Sequence, residues 1–351
     1  MREFYVITFY VLRFTMLKRP YLLLGISLAF AFILSVALGA VFIPPGTVLR
    51  IGINGLHIFH IEPDWPDHFV TILSQIRLPH AILVTLPGAA LAGSGAAFQG
   101  LFRNPLADPY LIGVASGAGL GAVFFMTLPW MGRYLIPFGA FFGAILTVSI
   151  VYGLAKVGKI VPLTTLILAG VAVGSFTSAL TSFLMIRSQE QVHHALAFML
   201  GGAPVAGWDP VKIALPYMAV GTGLLILSGH FLNVLQFGEE QATQLGLPVE
   251  KVKIFIILAA SLTTAAAVSF SGVIGFIGLI VPHLVRISWG GDYRRLIPFS
   301  ILGGGIALLV ADVLARILLA PQSLPVGIVT ALAGAPFFLW ILRRAKQEVF
   351  W

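Results

Sequence analysis

Cysteine is missing from this 351-residue chain, and charged residues make up only 10% of it. The first absence excludes disulfides and thiolate metal centres. The second argues against a water-soluble globule, which carries roughly 25% charge. With 58% hydrophobic residues and a mean hydropathy of +0.99, a soluble fold could not cover its own surface with polar groups. Lipid is therefore the solvent for most of the surface. One polytopic bundle over residues 1–351 replaces the roughly two soluble domains the length would otherwise suggest. The net charge of +8 does not indicate nucleic acid, because the basic residues stand singly or in pairs at the ends of apolar runs. That placement is a topology signal.

Apolar runs of spanning length fall at about 21–43, 78–101, 108–128, 134–155, 161–186, 210–231, 253–270, 273–289, 296–319 and 325–343. The first, Tyr21 to Val41 after Lys18 and Arg19, is longer than a signal-peptide core and reads as a retained helix. Several runs are dense in glycine, for example Gly88, Gly93, Gly95 and Gly100, then Gly113, Gly117, Gly119 and Gly121. Small residues let helices approach closely in lipid, and packing is their default role. The fold expected is an all-α integral membrane protein of about ten transmembrane helices.

Orientation follows from the 21 lysines and arginines. With a cytoplasmic N-terminus, the inside set is Arg2, Arg13, Lys18 and Arg19; Arg103; Lys156 and Lys159; Lys251 and Lys253; Arg286, Arg294 and Arg295; and Arg343, Arg344 and Lys346. The outside set is Arg50, Arg77, Arg133, Arg187, Lys212 and Arg316. Both termini are then cytoplasmic, with an N-terminal tail over about 1–20. Two long outer connections lie at about 44–77 and 187–209. A polar inner one, about 232–252, holds Glu239, Glu240, Gln241, Thr243, Gln244, Gly246, Pro248 and Glu250. Gly246 and Pro248 punctuate it, so it reads as two short surface helices joined by a tight turn.

Catalytic patterns are scarce. Gly153 to Lys159 fits G-x-x-x-x-G-K, but Ile160 follows where a phosphate loop needs Ser or Thr, and an apolar helix precedes where it needs a strand. The match is accidental, so any ATP must bind a separate subunit. No nucleophile–base set or paired carboxylates stand out. Asp312 and Arg316, at i and i+4, form a self-satisfying pair by default, although charge inside a span is costly and often functional. His193 and His194 are adjacent and point about 100° apart on a helix, which disfavours joint metal ligation. Solvated loop histidines are the simpler reading. No cofactor and no resident metal are expected.

Several strings together carry a resemblance. They are Arg77-Leu-Pro-His80; Gly88 to Gln99; Arg103-Asn-Pro-Leu-Ala-Asp-Pro109 with Leu111 to Gly119; Ser271 to Arg286, containing Gly275-Phe-Ile-Gly278 and Pro282-His283; and Leu324-Pro-Val-Gly327 with Gly334-Ala-Pro336. From about residue 20 to 345 the chain resembles the permease family of ATP-binding-cassette importers for iron-siderophore, haem and cobalamin. The resemblance implies a homodimer in the cytoplasmic (inner) membrane. It also implies two cytoplasmic ATPase subunits and a periplasmic or lipid-anchored solute-binding protein. The coupling residues would be Glu239, Glu240, Gln241, Thr243, Leu245 and Gly246, docking on the ATPase. Arg77 and Arg316 match positions that meet glutamates of the binding protein. His80 stands where many members have a second arginine, which weakens one contact or makes it pH-dependent. Thr181, Met185 and Arg187, at the end of the fifth run, would line the outer path. Iron-siderophore ranks first as cargo, then haem, then cobamide. The rival classes are an ion-coupled carrier, which would want more buried carboxylates than Asp312, and a membrane-embedded enzyme, which would want a polar catalytic set. A neighbouring ATPase gene and binding-protein gene would separate these from the importer.

Overall fold

The computed structural model describes residues 19–349, apart from 40, 56–61, 129, 131, 159, 204 and 321. Almost all of the expected N-terminal tail, and Lys159 of the accidental phosphate-loop string, lie outside the described residues. In chain order the helices are α1 (Pro20–Ala37), α2 (Pro45–Gly55), α3 (Asp67–Leu101), α4 (Val114–Met126), α5 (Ile136–Ala155), α6 (Leu163–Arg187), α7 (Val192–Met199), α8 (Trp208–Leu235), α9 (Glu239–Gln244), α10 (Val249–Ser271), α11 (Ile277–Trp289), α12 (Tyr293–Ile317) and α13 (Val326–Val349). The described residues form no strand beyond one isolated bridge, Val157 with Ile160. The chain is an all-α membrane protein.

Seven helices are long and apolar enough to cross a bilayer: α1, α3, α5, α6, α8, α10 and α12. Three shorter apolar helices complete the set: α4, α11 and the apolar part of α13. Each overlaps one of the expected apolar runs, but α3 begins at Asp67, within the stretch expected to be the outer connection 44–77, and two of the runs are not helical throughout. At 13 residues each, α4 and α11 are about 20 Å long. That is too short for a core of about 30 Å. The preceding residues are irregular: a 3₁₀ turn at Pro109–Ile112 with Gly113 at φ 82°, and the stretch from Gly272 to Phe276, where Phe276 sits at φ 71°.

Irregular backbone at membrane depth survives only where protein satisfies it. Here the Tyr110 hydroxyl donates to the Ile274 carbonyl at 2.8 Å and accepts from the Ile274 amide at 3.2 Å. The Val273 amide donates to Phe198 O at 2.9 Å, and the Gly327 amide to Leu200 O at 3.0 Å. The broken starts of α11 and α13 and the end of α7 thus satisfy one another.

α3 is the central post. Every residue from Ala90 to Leu101 is buried. It packs against α8, α10, α11 and α12, and glycine seams set the closest approaches. A Cβ on Gly88 would overlap the Gly304 carbonyl of α12, and one on Gly95 would overlap the Gly278 carbonyl of α11. A second seam, Gly117 and Gly121 against Gly139 and Gly143, joins α4 to α5. With no hydrophobic force between helices in lipid, close van der Waals contact of this kind is one of the terms that hold them together.

The polar connection over 232–252 contains one short helix, α9, not two. Gly246 (φ 85°) makes the expected turn, but Pro248 then caps the spanning helix α10 directly, so the second short helix is simply its first turn.

Candidate functional site

Polar chemistry gathers at the two ends of the bundle, named outer and inner here by the arginine and lysine count. At the outer end α1 stops at Ala37 and leaves its last carbonyls without intrahelical partners. Two arginines from other helices supply them. Arg77 donates through Nη1 to Val36 O (2.7 Å) and Ala37 O (2.8 Å), and through Nη2 to Val41 O. Arg316 donates to Leu38 O (2.8 Å) and to the carbonyl and hydroxyl of Ser35 (both 3.0 Å). The expected i, i+4 pair is formed, with Arg316 Nη2 2.8 Å from Asp312 Oδ2. The other carboxylate oxygen meets His80 Nε2 at 3.0 Å.

This geometry changes the reading of the docking residues. Arg77 is only 7% exposed, and its guanidinium is spent on the end of α1. In this arrangement its donors are directed at those carbonyls. Arg316 keeps 18% of its side chain exposed and His80 keeps 39%. Those two, with Asp312, line an outer cavity of about 340 Å³ together with Gly201, Gly202, Ser271, Ile274 and Pro325. Ile274 belongs to the junction of broken elements that Tyr110 and Leu200 hold together.

At the inner end α9 lies between α8 and α10. Ala242 is its buried anchor. Glu240, Gln241, Thr243 and Gly246 are exposed, and so are two large apolar side chains, Phe237 (67%) and Leu245 (69%). Glu239 turns back: its carboxylate accepts from Lys253 Nζ at 3.1 Å, and Thr243 Oγ1 donates to its carbonyl at 2.8 Å. Of the six expected coupling residues, five therefore face out and Glu239 faces the bundle. Nearby, Arg286 donates to Tyr293 OH (2.9 Å) and Gln99 Oε1 (3.4 Å). Asp292 caps α12 by accepting from the Arg294 amide at 3.1 Å. Hydrogen bonds from the Arg294 side chain and then from Asn233 hold its carboxyl down to about 2.

The expected path residues on α6 divide. Thr181 is buried, with its hydroxyl donating to Thr177 O at 2.8 Å, so it faces inside the subunit. Met185 is half-buried against the core, and Arg187 is exposed. The open face of α6 carries Ser175, Ser178 and Ser182 instead. Their i, i+3, i+7 spacing was available in the sequence as a polar stripe on an apolar helix. His193 and His194 are both exposed on α7.

Comparison with known proteins agrees with this architecture. The sequence matches the FecCD transport family over residues 27–344. It is 41% identical over 335 residues to the uncharacterized ABC transporter permease protein YvrB of Bacillus subtilis (strain 168), covering 93% of this chain and 94% of that one. It is 45% identical to the cobalamin import system permease protein BtuC of Halobacterium salinarum, over 79% of this chain and 75% of that one. With the hemin transport system permease protein HmuU of Yersinia pestis the identity is 40%, over 78% and 84%. Among solved structures, a metal-chelate type ABC transporter in an inward-facing conformation superposes with a TM-score of 0.79 at 27% identity, covering 93% of this chain and 99% of that one. The fold, the motif order and these matches place the chain in the FecCD transport family as an ABC-importer permease.

Proposed function

We propose that this permease forms the membrane-spanning part of an ATP-driven importer for a bulky metal chelate. It works as a homodimer of ten-span subunits with both termini cytoplasmic, in the cytoplasmic (inner) membrane. ATP is hydrolysed on two separate subunits, and a solute-binding protein delivers the cargo.

The observation that carries the reading is α9. Phe237 and Leu245 are about two-thirds exposed at the two ends of a short helix outside the spans, which itself exposes Glu240, Gln241 and Gln244. An apolar pair rimmed by polar groups on a water-facing element marks a protein interface, and an ATPase subunit is the partner that an ABC permease requires. The test is co-purification. Leu245→Asp, Glu240→Ala or a deletion around Gly246 is expected to abolish recovery of the co-expressed ATPase while the permease stays monodisperse. Full recovery with the deletion would defeat the assignment.

Docking of the binding protein falls to His80 and Arg316 at the outer cavity, with Arg77 holding the end of α1 beneath them. Arginine makes bidentate, charge-assisted bonds with carboxylates, and such rim charges act mainly on association rate and salt dependence. The path runs along the open face of α6 with Met185 and Arg187 at its outer end. The cargo class is iron-siderophore, haem or cobamide, and the relatives named for cobalamin and hemin support a chelate of that bulk. Uptake of ⁵⁵Fe-siderophore, haemin and cobalamin into vesicles carrying the full complex decides among them.

A further inference from the structure

Lys253 is 2% exposed, near the inner end of α10. A buried ammonium costs several kcal/mol to desolvate, and an apolar side chain of similar volume is often as stable or more so. Packing alone therefore gives no reason for a lysine here. Its two partners do, because they belong to different parts of the inner face. Nζ donates to Glu250 Oε1 on the same helix at 2.9 Å and to Glu239 Oε2 at the start of α9 at 3.1 Å. The other oxygen of Glu250 accepts from the Val161 amide at 3.3 Å.

Val161 is buried and lies just before α6. Pro162 follows at φ −64° as the N-cap of α6, and its carbonyl accepts from Leu166 N at 3.0 Å. The proline ring fixes that φ, so a displacement of Val161 passes into the first turn of α6 with little slack. α6 is also the long span with the smallest share buried in the subunit, 17%, against 28–78% for the other six. It is the long helix least held by its own chain.

We propose that Lys253 and Glu250 are positioning residues that transmit movement of α9 to α6. The route is Glu239 to Lys253 to Glu250 to the Val161 amide. It joins the helix proposed to meet the ATPase with the helix proposed to border the path, and so rests on the reading above. When the ATPase displaces α9, Glu239 carries Lys253 and Glu250 with it, and α6 shifts from its N-terminal end. Coupling of this kind needs a contiguous network and a movable element, and both are present here.

The test uses the full permease–ATPase complex in lipid nanodiscs. The chain has no native cysteine, so single cysteines at Val157 and Thr164 can carry a spin label. The readout is the change in label mobility between nucleotide-free and ATP–vanadate states. The unmodified background is expected to show a clear change. Lys253→Met is expected to lose it while the ATPase stays bound and still hydrolyses ATP, and Lys253→Arg is expected to restore it.

An unaltered change in Lys253→Met would overturn the proposal, as would the absence of any change in the parent complex during ATP turnover. If Lys253→Met fails to assemble, Glu250→Gln decides, since it keeps the shape and weakens both links. Loss of ATPase binding in both variants would make the network a support for docking only, and would also overturn transmission. Failure of the parent permease to bind an ATPase at all would instead defeat the functional reading.

Discussion

Replacing Arg77 by methionine keeps an unbranched, flexible apolar stem, shorter by the guanidinium, and removes the donors. The guanidinium makes three hydrogen bonds to carbonyls at the end of α1. Hydrogen bonds to charged groups contribute about 1.5–3 kcal/mol each in mutational series, but polar bonds in membrane proteins average nearer 0.6 kcal/mol. The loss is also offset, because the variant no longer desolvates a charge. Three bonds at about 0.6–1 kcal/mol give a local cost of about 2–3 kcal/mol. Arg316 still holds Leu38 and Ser35, so the cost falls on fraying of α1 and not on the whole bundle. At 1.4 kcal/mol per decade, 2 kcal/mol raises the open population about thirtyfold.

The assay is alkylation of a single cysteine at Val36, which is 1% exposed. A water-soluble maleimide reacts only through local opening, so its rate reports the opening equilibrium. The rate is expected to rise about thirtyfold in Arg77→Met and far less in His80→Gln, because His80 bonds Asp312 and not α1. A rise of less than about threefold would refute the structural role. If binding-protein association were then weakened instead, Arg77 would be the surface docking residue that the resemblance implies.

Three further outcomes are expected. Gly95→Val should cost more than about 3 kcal/mol, because its Cβ would overlap the Gly278 carbonyl, a backbone atom that cannot rotate away. Gly25→Val, where nothing lies within 4 Å, should stay within about 0.5 kcal/mol; equal melting temperatures for the two would contradict the seam. On α6, Ser178→Cys and Ser182→Cys should react with a charged thiol reagent in at least one nucleotide state while Thr181→Cys, facing inward, should not; the reverse pattern would put the path on the other face. Asp292 has a folded pKa of about 2, below the ordinary carboxylate value near 4. Its contribution to stability is therefore complete above about pH 4 and is lost as pH falls through about 2. Acid unfolding followed by tryptophan fluorescence should lose part of its pH dependence over that window in Asp292→Asn, and an unchanged profile would refute the assignment.

The existence and approximate place of the apolar segments were legible because hydrocarbon imposes a length and a composition on anything that crosses it, although the boundaries were not: α3 begins at Asp67 and not near residue 78. The Asp312–Arg316 pair and the Gly246 turn were equally legible, since both depend on neighbours within one turn of chain. Hydropathy could not show that residues 109–113 and 272–276 are irregular. An apolar stretch reads the same whether its amides bond within a helix or to a hydroxyl 164 residues away, as Ile274 does with Tyr110. The sites divide in the same way. The arginine and lysine count separated outer residues from inner ones, and the structure gathers Arg77, His80 and Arg316 at one end and Glu239, Glu250 and Lys253 at the other. The choice of partners was not local. Arg77 bonds the end of α1, Asp312 is shared with His80 from 232 positions away, and Glu250 reaches Val161 across 89. Each follows from which helix ends lack hydrogen-bond partners and which glycine seams bring them close, quantities that exist only once the helices have packed.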